Sequence, residues 1–242
     1  VDAFKTAFDF DLTLDEARGP MGLGKWQHIE ALGNDPVIGA RWQARFGKPM
    51  GEADIRHIYE TFIPLQVERV GLHSALIPGA LSVLQTLRQQ GYKIGSTTGY
   101  PRQVMTRLMD LATEQGYTPD CTLCADDLPA GARPGPWMAL ECVQRLAIGA
   151  VSHCVKVDDT VPGIAEGHNA GMWTIGLALS GSPAGWTLAE FEAATSAERE
   201  ATRQRVSGVF KQAGAHLVID TVADLLPALA LIEQRLATGE RP

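Results

Sequence analysis

The stretch His153–Leu177, HCVKVDDTVPGIAEGHNAGMWTIGL, decides the fold. It opens with an apolar run, passes through two adjacent aspartates, and continues in a helical pattern that ends near Ala170. A second apolar run begins at Met172. A strand, a helix and a strand joined by short loops form a parallel β-α-β unit. The stretch therefore predicts a parallel sheet covered by helices.

The same alternation continues on both sides of this unit, from Pro78 to the C-terminus. Apolar runs predict strands, and segments of helical periodicity that stop at glycines predict the helices between them. Alternation of this length is typical of an α/β domain with a parallel sheet and helices on both faces. The predicted strands are 92–97, 121–124, 153–157, 172–177 and 216–219, and the predicted helices include 80–90, 102–115, 136–146 and one long helix over 188–213.

The first 72 residues have a different pattern, in which every periodic segment favours helix. Thr13 and Glu16 have the spacing of a capping box, which predicts a helix start at Thr13. A helix predicted from Met21 to Leu32, with Gly33 just beyond its end, places Met21, Lys25 and His28 on one face. Two domains follow from this contrast: an all-helical domain over 1–72 and an α/β core over 73–242.

Composition limits the classes of partner. The 242 residues are 45% hydrophobic and 20% charged, with a net charge of −7, which argues against nucleic acid or an anionic membrane surface as the partner. No apolar run is long enough for a membrane span and no signal-peptide pattern is present, so we expect a cytoplasmic protein. Cys121 and Cys124 have C-x-x-C spacing, but no second ligand pair follows, which favours a buried structural role over zinc.

Polar residues follow three of the predicted strands, where parallel sheets bind ligands. The loop GSTTGY, Gly95–Tyr100, has hydroxyls and free amides that suit a phosphoryl group, although a polar turn explains it equally well. Arg133 lies on a rigid loop and suits bidentate phosphoryl binding, or is a surface arginine. The adjacent carboxylates of Asp158 and Asp159 suit Mg²⁺, with Asp159 as a helix N-cap the alternative.

Lys25 and His28 form a further candidate pair, three residues apart on a predicted helix. Spacing alone favours an ordinary solvated lysine–histidine pair.

Five segments together resemble one family, the phosphonoacetaldehyde hydrolases (phosphonatases) of the haloacid dehalogenase superfamily. The segments occur in the family's order across the chain, and the Met-Gly-x-x-Lys-x-x-His pattern is not shared by ordinary phosphatases of the superfamily. They are EARGPMGLGKWQH at 16–28, KIGSTTGYPR at 93–102, RPGPW at 133–137, KVDDT at 156–160 and NAGMW at 169–173.

The resemblance implies a Rossmann-like core with an inserted helical cap, and hydrolysis of phosphonoacetaldehyde to acetaldehyde and phosphate in 2-aminoethylphosphonate degradation. It also implies Mg²⁺ as cofactor and a homodimer. The family's site residues carry over as Lys25 for the Schiff base, His28 for proton transfers, Met21 and Tyr100 beside the substrate, Thr98, Gly99 and Arg133 for the phosphoryl group, and Asp159 for Mg²⁺.

The resemblance places the attacking aspartate on a strand before the segment that matches Val1, and we expect that segment to be missing from the chain. Asp9, Asp11 and Thr13 fit the superfamily's D-x-D-x-T pattern, but the run before Asp9 is polar at positions that favour a helix. Thr13 is already explained as a cap, and Asp9 is too near Lys25 to leave room for a cap helix. We therefore expect the match to be accidental, and the chain alone to be an inactive fragment whose sheet exposes a normally paired edge.

Two rival functions stay open at this stage. One is a phosphatase or mutase of the same superfamily that uses Asp9. The other is a non-catalytic, truncated paralogue that binds a phosphonate or a partner chain without turnover.

Overall fold

The computed structural model describes all residues, 1–242. Four of its first five helices pack around one apolar core in which Trp42 and Ile58 are fully buried; the short helix Leu14–Arg18 contributes no buried residue. The Phe10 ring contacts both Phe4 and Trp42, so this half of the molecule has a hydrophobic core of its own. The helices are α1 Asp2–Phe8, α2 Leu14–Arg18, α3 Lys25–Asn34, α4 Pro36–Phe46 and α5 Glu52–Arg69.

The capping box at α2 is confirmed, since Thr13 Oγ1 accepts from the Glu16 amide and Glu16 returns the bond to the Thr13 amide. The helix predicted from Met21 is wrong at both ends. α3 begins at Lys25, because the segment before it turns at Gly22, whose φ of +96° is left-handed. It runs past Gly33 to Asn34, where Asp35 caps the next helix.

The second half of the chain contains five parallel strands. They are β1 Gly95–Thr97, β2 Cys121–Leu123, β3 Val155–Asp158, β4 Trp173–Leu177 and β5 Leu217–Ile219. β1 pairs with β2, and β4 lies between β3 and β5, with Thr97 opposite Leu123 and Asp158 opposite Gly176. The parallel α/β prediction is confirmed, with the strands divided into two sheets instead of one; side chains connect β1 to β3.

Helices cover both faces of β4, as predicted. Trp173 and Ile175 pack on one face, and on the other Gly176 leaves room for Phe210, whose ring atoms lie 2.6 Å from where a Cβ would stand. Alternate residues of a strand point to opposite faces, so this pattern sets the layering. Helices α6 Ala80–Gln89 and α12 Leu225–Ala237 lie on the first face, and α9 Val161–Ala170 and α11 Ser196–Gln212 lie on the second.

Three predicted boundaries differ from the structure. The long helix over 188–213 is two helices, α10 Leu188–Ala193 and α11, because Ala194 is extended and Thr195 caps a new start. The first strand is shorter than predicted, since the Ile94 amide and carbonyl bond to Asp120 before the ladder begins. A 3₁₀ turn occupies Val151–His153, so β3 starts at Val155. The remaining helices are α7 Arg102–Glu114 and α8 Trp137–Arg145.

None of the helices combines the length and the hydropathy that crossing a membrane requires.

Candidate active site

Three loops at the carboxyl ends of the strands meet in a buried polar cluster. Arg133, 7% exposed, donates from Nη2 to the Thr97 carbonyl at 2.7 Å and to Thr97 Oγ1 at 3.0 Å. The same nitrogen lies 3.1 Å from Asp158 Oδ2. The predicted convergence of the loops after β1, β2 and β3 is therefore confirmed. Because Arg133 is buried, the alternative of a surface arginine is wrong. The contacts with Thr97 and Asp158 are the partners that a buried guanidinium needs.

Glu166 of α9 completes this cluster. Its side chain is fully buried, and Oε2 accepts from Arg133 Nε at 3.0 Å, from Lys156 Nζ at 2.7 Å and from Thr97 Oγ1 at 2.9 Å. Lys156 Nζ also lies 3.4 Å from Asp158 Oδ2 and donates to Thr97 Oγ1. Two cations and two carboxylates thus neutralise one another away from water.

Asp158 is held on its other oxygen, where Oδ1 accepts from the Thr160 amide at 3.0 Å and from Thr160 Oγ1 at 2.8 Å. Thr160 caps α9, because its Oγ1 accepts from the Gly163 amide at 3.2 Å. The alternative that Asp159 is the N-cap is therefore wrong. Burial and the nearby Arg133 and Lys156 act oppositely on the Asp158 carboxyl, and the cations prevail and lower its pKa.

The Asp159 carboxylate has fewer partners within the protein than the Asp158 carboxylate. Its side chain accepts one bond, from Ser182 Oγ at 3.3 Å, and burial together with the charge of Asp158 raises its pKa. Repulsion of this kind is relieved by a cation, and hard oxygen ligands suit Mg²⁺. No set of three or more His, Cys, Asp or Glu side chains gathers around a single point, so Asp158 and Asp159 do not by themselves form a complete set of cation ligands.

The loop after β1 brings the core against the helical half. An added Cβ at Gly99 would lie 2.6 Å from the Leu23 carbonyl, and one at Gly22 would lie 2.4 Å from Thr160 Oγ1. Glycine at both positions lets the two backbones approach closely. Thr98 Oγ1 accepts from the Tyr100 amide at 3.1 Å and shapes the turn that makes this contact.

Lys25 lies at this junction, at the first residue of α3. Its Nζ is 5.2 Å from the centre of the Tyr100 ring and 5.8 Å from that of Phe62. Desolvation lowers the pKa of Lys25 to about 8 from an ordinary value near 10.5. Tyr100 is held in place by Gln66, whose Nε2 donates to the phenol oxygen at 3.2 Å. A lysine in this setting is partly neutral near physiological pH, which a nucleophilic amine requires.

His28 is buried one turn after Lys25, so the pair is not the solvated one that spacing favoured. Desolvation, with the charge of Lys25 a smaller effect, lowers the pKa of His28 to about 4. Its Nδ1 has no hydrogen-bond partner in the protein. The ring is therefore neutral at physiological pH, and Nδ1 is a buried nitrogen without a protein partner.

Met21 does not share the α3 face with Lys25, because it lies in the turn before that helix. It lines a cavity of about 490 Å³ between the helical half and the core, together with Arg18, Thr160, Ser182 and Arg205. Ser182 is the partner of Asp159, so the cavity opens beside the candidate cation ligand.

Asp9 lies at the end of α1, in the helical half, and its side chain is 70% exposed. Lys5 Nζ lies 2.7 Å from one of its oxygens and Arg45 Nη2 lies 2.9 Å from the other. The predicted helix before Asp9 is confirmed, so no strand carries this aspartate. All four cysteines are free and none is exposed; Cys124 is buried and its pKa is raised to about 11 by desolvation, as a structural thiol requires.

Five residues of the site were not singled out from the sequence: Phe62, Gln66, Thr97, Lys156 and Glu166. A glutamate next to the apolar run Val161–Ala165, in the helix that follows the paired aspartates, is the signal that could have indicated Glu166, since a buried acid needs a cation. Phe62 and Gln66 carry no comparable signal, because contacts between distant helices do not show in a single sequence.

Fold and site together define a haloacid dehalogenase-like hydrolase, and the sequence profile of that family matches residues 9–171. The phosphonoacetaldehyde hydrolases of Aeromonas hydrophila and Klebsiella pneumoniae are 56% and 55% identical over the whole chain, which spans 87% and 90% of their lengths. A crystal structure of a phosphonoacetaldehyde hydrolase-like protein from Oleispira antarctica superimposes with a TM-score of 0.95 at 41% identity, over 100% of this chain and 88% of that one. The chain belongs to the phosphonoacetaldehyde hydrolase family of these enzymes.

Proposed function

We propose that the enzyme hydrolyses phosphonoacetaldehyde to acetaldehyde and phosphate, with Lys25 as the residue that forms an imine with the aldehyde. The observation that carries the proposal is the position of the desolvated Lys25 amine. It lies against Tyr100, on the loop that follows β1 and contains the predicted phosphoryl-binding residues Thr98 and Gly99. Lys25 and Tyr100 are in contact, and Thr97, three residues before Tyr100, is bonded to Arg133. One small molecule with an aldehyde at one end and a phosphoryl group at the other fits this arrangement.

The chemistry explains why both halves of the molecule contribute. Breaking a carbon–phosphorus bond leaves an electron pair on carbon, and an unstabilised carbanion is a poor leaving group. In the proposed reaction the Lys25 amine adds to the aldehyde and water leaves, which gives a protonated imine. The attacking carboxylate that the resemblance implies takes the phosphoryl group as an aspartyl-phosphate, and as the carbon–phosphorus bond breaks its electron pair moves into the imine and produces an enamine. Water then hydrolyses the aspartyl-phosphate to phosphate and restores the carboxylate. Protonation at carbon and hydrolysis then release acetaldehyde and regenerate Lys25.

His28 is suited to the proton transfers of these steps, since it is neutral and its Nδ1 is free. Tyr100 and Phe62 exclude water from the amine and maintain its low pKa. The Thr98 amide donates to the Leu123 carbonyl at 3.0 Å, so Thr98 offers the phosphoryl oxygens its hydroxyl and Gly99 offers its backbone amide. Arg133 supplies the positive charge beside them. Met21 lines the cavity that opens beside Ser182, the partner of Asp159.

Asp159 would hold Mg²⁺, with the Ser182 hydroxyl beside it. When bound, the ion would screen the charge between the phosphonate and an attacking carboxylate. We assign no carboxylate within residues 1–242 to that attack, because Asp158 is held by Arg133 and Thr160, and Asp9 is exposed in the helical half. A homodimer and a cytoplasmic location belong to the proposal as well; the four free cysteines favour a reducing compartment.

We expect imine formation to increase with pH, with a midpoint near the pKa of Lys25, about 8. Below the midpoint the ammonium predominates and does not attack; at pH 7 about a tenth of the amine is neutral, against about one part in three thousand for an ordinary lysine. The measurement is the amount of acetaldehyde trapped on the enzyme by borohydride after a fixed time, from pH 6 to 10. Phe62→Ala admits water to the amine and should move the midpoint upward. A wild-type midpoint near 10.5 would contradict the proposal.

Asp9→Asn should leave kcat and KM within about twofold of wild type, because surface substitutions outside a site have small effects. The rival phosphatase or mutase function, in which Asp9 attacks phosphorus, requires loss of activity instead. Steady-state release of phosphate from phosphonoacetaldehyde measures both. Glu52→Gln, which changes another exposed acid of the helical half, is the matched control.

A further inference from the structure

We propose that Glu166 is a positioning residue for the phosphoryl-binding side of the active site: it holds the Lys156 ammonium beside Thr97 and fixes the Arg133 guanidinium in the orientation that binds the substrate's phosphoryl group. The inference rests on the proposed function, because it takes Arg133 as a ligand of that group. The resemblance assigned Glu166 no role.

The geometry concentrates three donors on one oxygen. Glu166 Oε2 accepts from Arg133 Nε at 3.0 Å, Lys156 Nζ at 2.7 Å and Thr97 Oγ1 at 2.9 Å. The second oxygen, Oε1, is buried without a partner. A structural ion pair normally uses both oxygens of a carboxylate, and here the whole interaction is directed at one point, between the strand ends that carry Thr97 and Asp158.

Two nitrogens of the Arg133 guanidinium are bonded within the protein and the third is not. Glu166 takes Nε, and Thr97 and Asp158 take Nη2, while no protein group bonds to Nη1. A guanidinium is planar, so fixing Nε and Nη2 also fixes the direction of Nη1. The remaining nitrogen is thereby presented to a ligand with the orientation already determined.

Charge provides a second reason. Arg133 and Lys156 both lie beside Asp158 Oδ2, at 3.1 and 3.4 Å. Without Glu166 both cations would compete for that one carboxylate, and the guanidinium would be drawn toward Asp158. Because Glu166 holds the two cations apart, Arg133 keeps its position whether or not a phosphoryl group is bound, and binding requires little reorganisation.

The test compares Glu166→Gln with wild-type enzyme in three measurements. We expect KM for phosphonoacetaldehyde and the inhibition constant of inorganic phosphate each to rise at least about tenfold, since hydrogen bonds to charged groups have effects of this size. Borohydride trapping of acetaldehyde on Lys25 should stay at the wild-type level, because that step uses only the helical half and the Tyr100 ring.

Asp54→Asn is the matched control, because it also removes a buried carboxylate that binds a lysine, at Lys48 in the helical half. It should lower Tm without changing either constant. If Glu166→Gln lowers Tm but leaves KM and phosphate inhibition unchanged in the folded enzyme, the role is structural and the inference is wrong. The inference is also wrong if Glu166→Gln loses borohydride trapping at Lys25 as well as phosphate binding. If the proposed function itself is wrong, wild-type enzyme shows no trapping at Lys25. That result distinguishes its failure from failure of the inference about Glu166.

Discussion

Lys25→Arg should reduce kcat for phosphonoacetaldehyde hydrolysis by at least about 10⁴-fold, because removal of a residue that forms a covalent intermediate removes the whole pathway. The substitution keeps a positive charge next to Tyr100 and Phe62, and a guanidinium does not form an imine under these conditions. Lost activity in this variant is therefore assigned to the amine itself and not to its charge.

The measurement is steady-state phosphate release, with thermal unfolding as a check that the variant is folded. Lys5→Arg, which changes an exposed lysine of α1 that pairs with Asp9, is the matched control and should retain wild-type activity. If Lys25→Arg keeps more than about a tenth of wild-type kcat, acid–base or electrostatic assistance of ordinary size explains the residue and the imine is excluded.

Arg133→Met should cost both stability and activity. The substitution leaves Asp158 and Glu166 buried with Lys156 as their only cation, and removal of one partner from a buried ion pair destabilises proteins by about 3–5 kcal/mol. Loss of the Arg133 positive charge from the proposed phosphoryl-binding site should lower kcat/KM by about 10²–10³-fold. Denaturant unfolding and steady-state kinetics measure the two effects.

Arg69→Met is the control for this second prediction, because Arg69 pairs with Asp2 and both side chains are more than half exposed. It should change stability by no more than about 1 kcal/mol and leave the kinetics unchanged. Arg133→Lys provides an independent test if the methionine variant does not fold. It keeps the charge but loses the fork of donors that reaches Glu166, Thr97 and Asp158 together, so KM should rise. Unchanged KM in Arg133→Lys would show that Arg133 does not position the phosphoryl group.

Local patterns in the sequence predicted much of this fold because they depend on near neighbours. The strand–loop–helix unit around Asp158, the capping box at Thr13 and the helix before Asp9 all appear in the structure. The errors lie where a turn competes with periodicity. Gly22 begins a turn that ends the apparent helix from Met21, and Thr195 starts a new helix inside the long one predicted over 188–213.

The site could be predicted in part, for a similar reason. Strand ends of a parallel sheet meet at one edge, so the meeting of the loop after β1 with Arg133 and Asp158 followed from the order of elements. The environment of Lys25 did not, because Phe62 and Tyr100 come from different halves of the molecule and only tertiary packing places them around the amine. The pKa values that make Lys25 and His28 useful depend on that burial.

Imine formation at Lys25 is tested most directly by mass spectrometry. The enzyme is incubated with phosphonoacetaldehyde or acetaldehyde and reduced with borohydride, and the mass of the peptide that contains Lys25 is then measured. We predict one added ethyl group, located on Lys25 by fragmentation, in wild-type enzyme and none at that position in Lys25→Arg. An unmodified Lys25 in enzyme that releases phosphate from phosphonoacetaldehyde would contradict the central claim, since the carbon–phosphorus bond would then break without the imine.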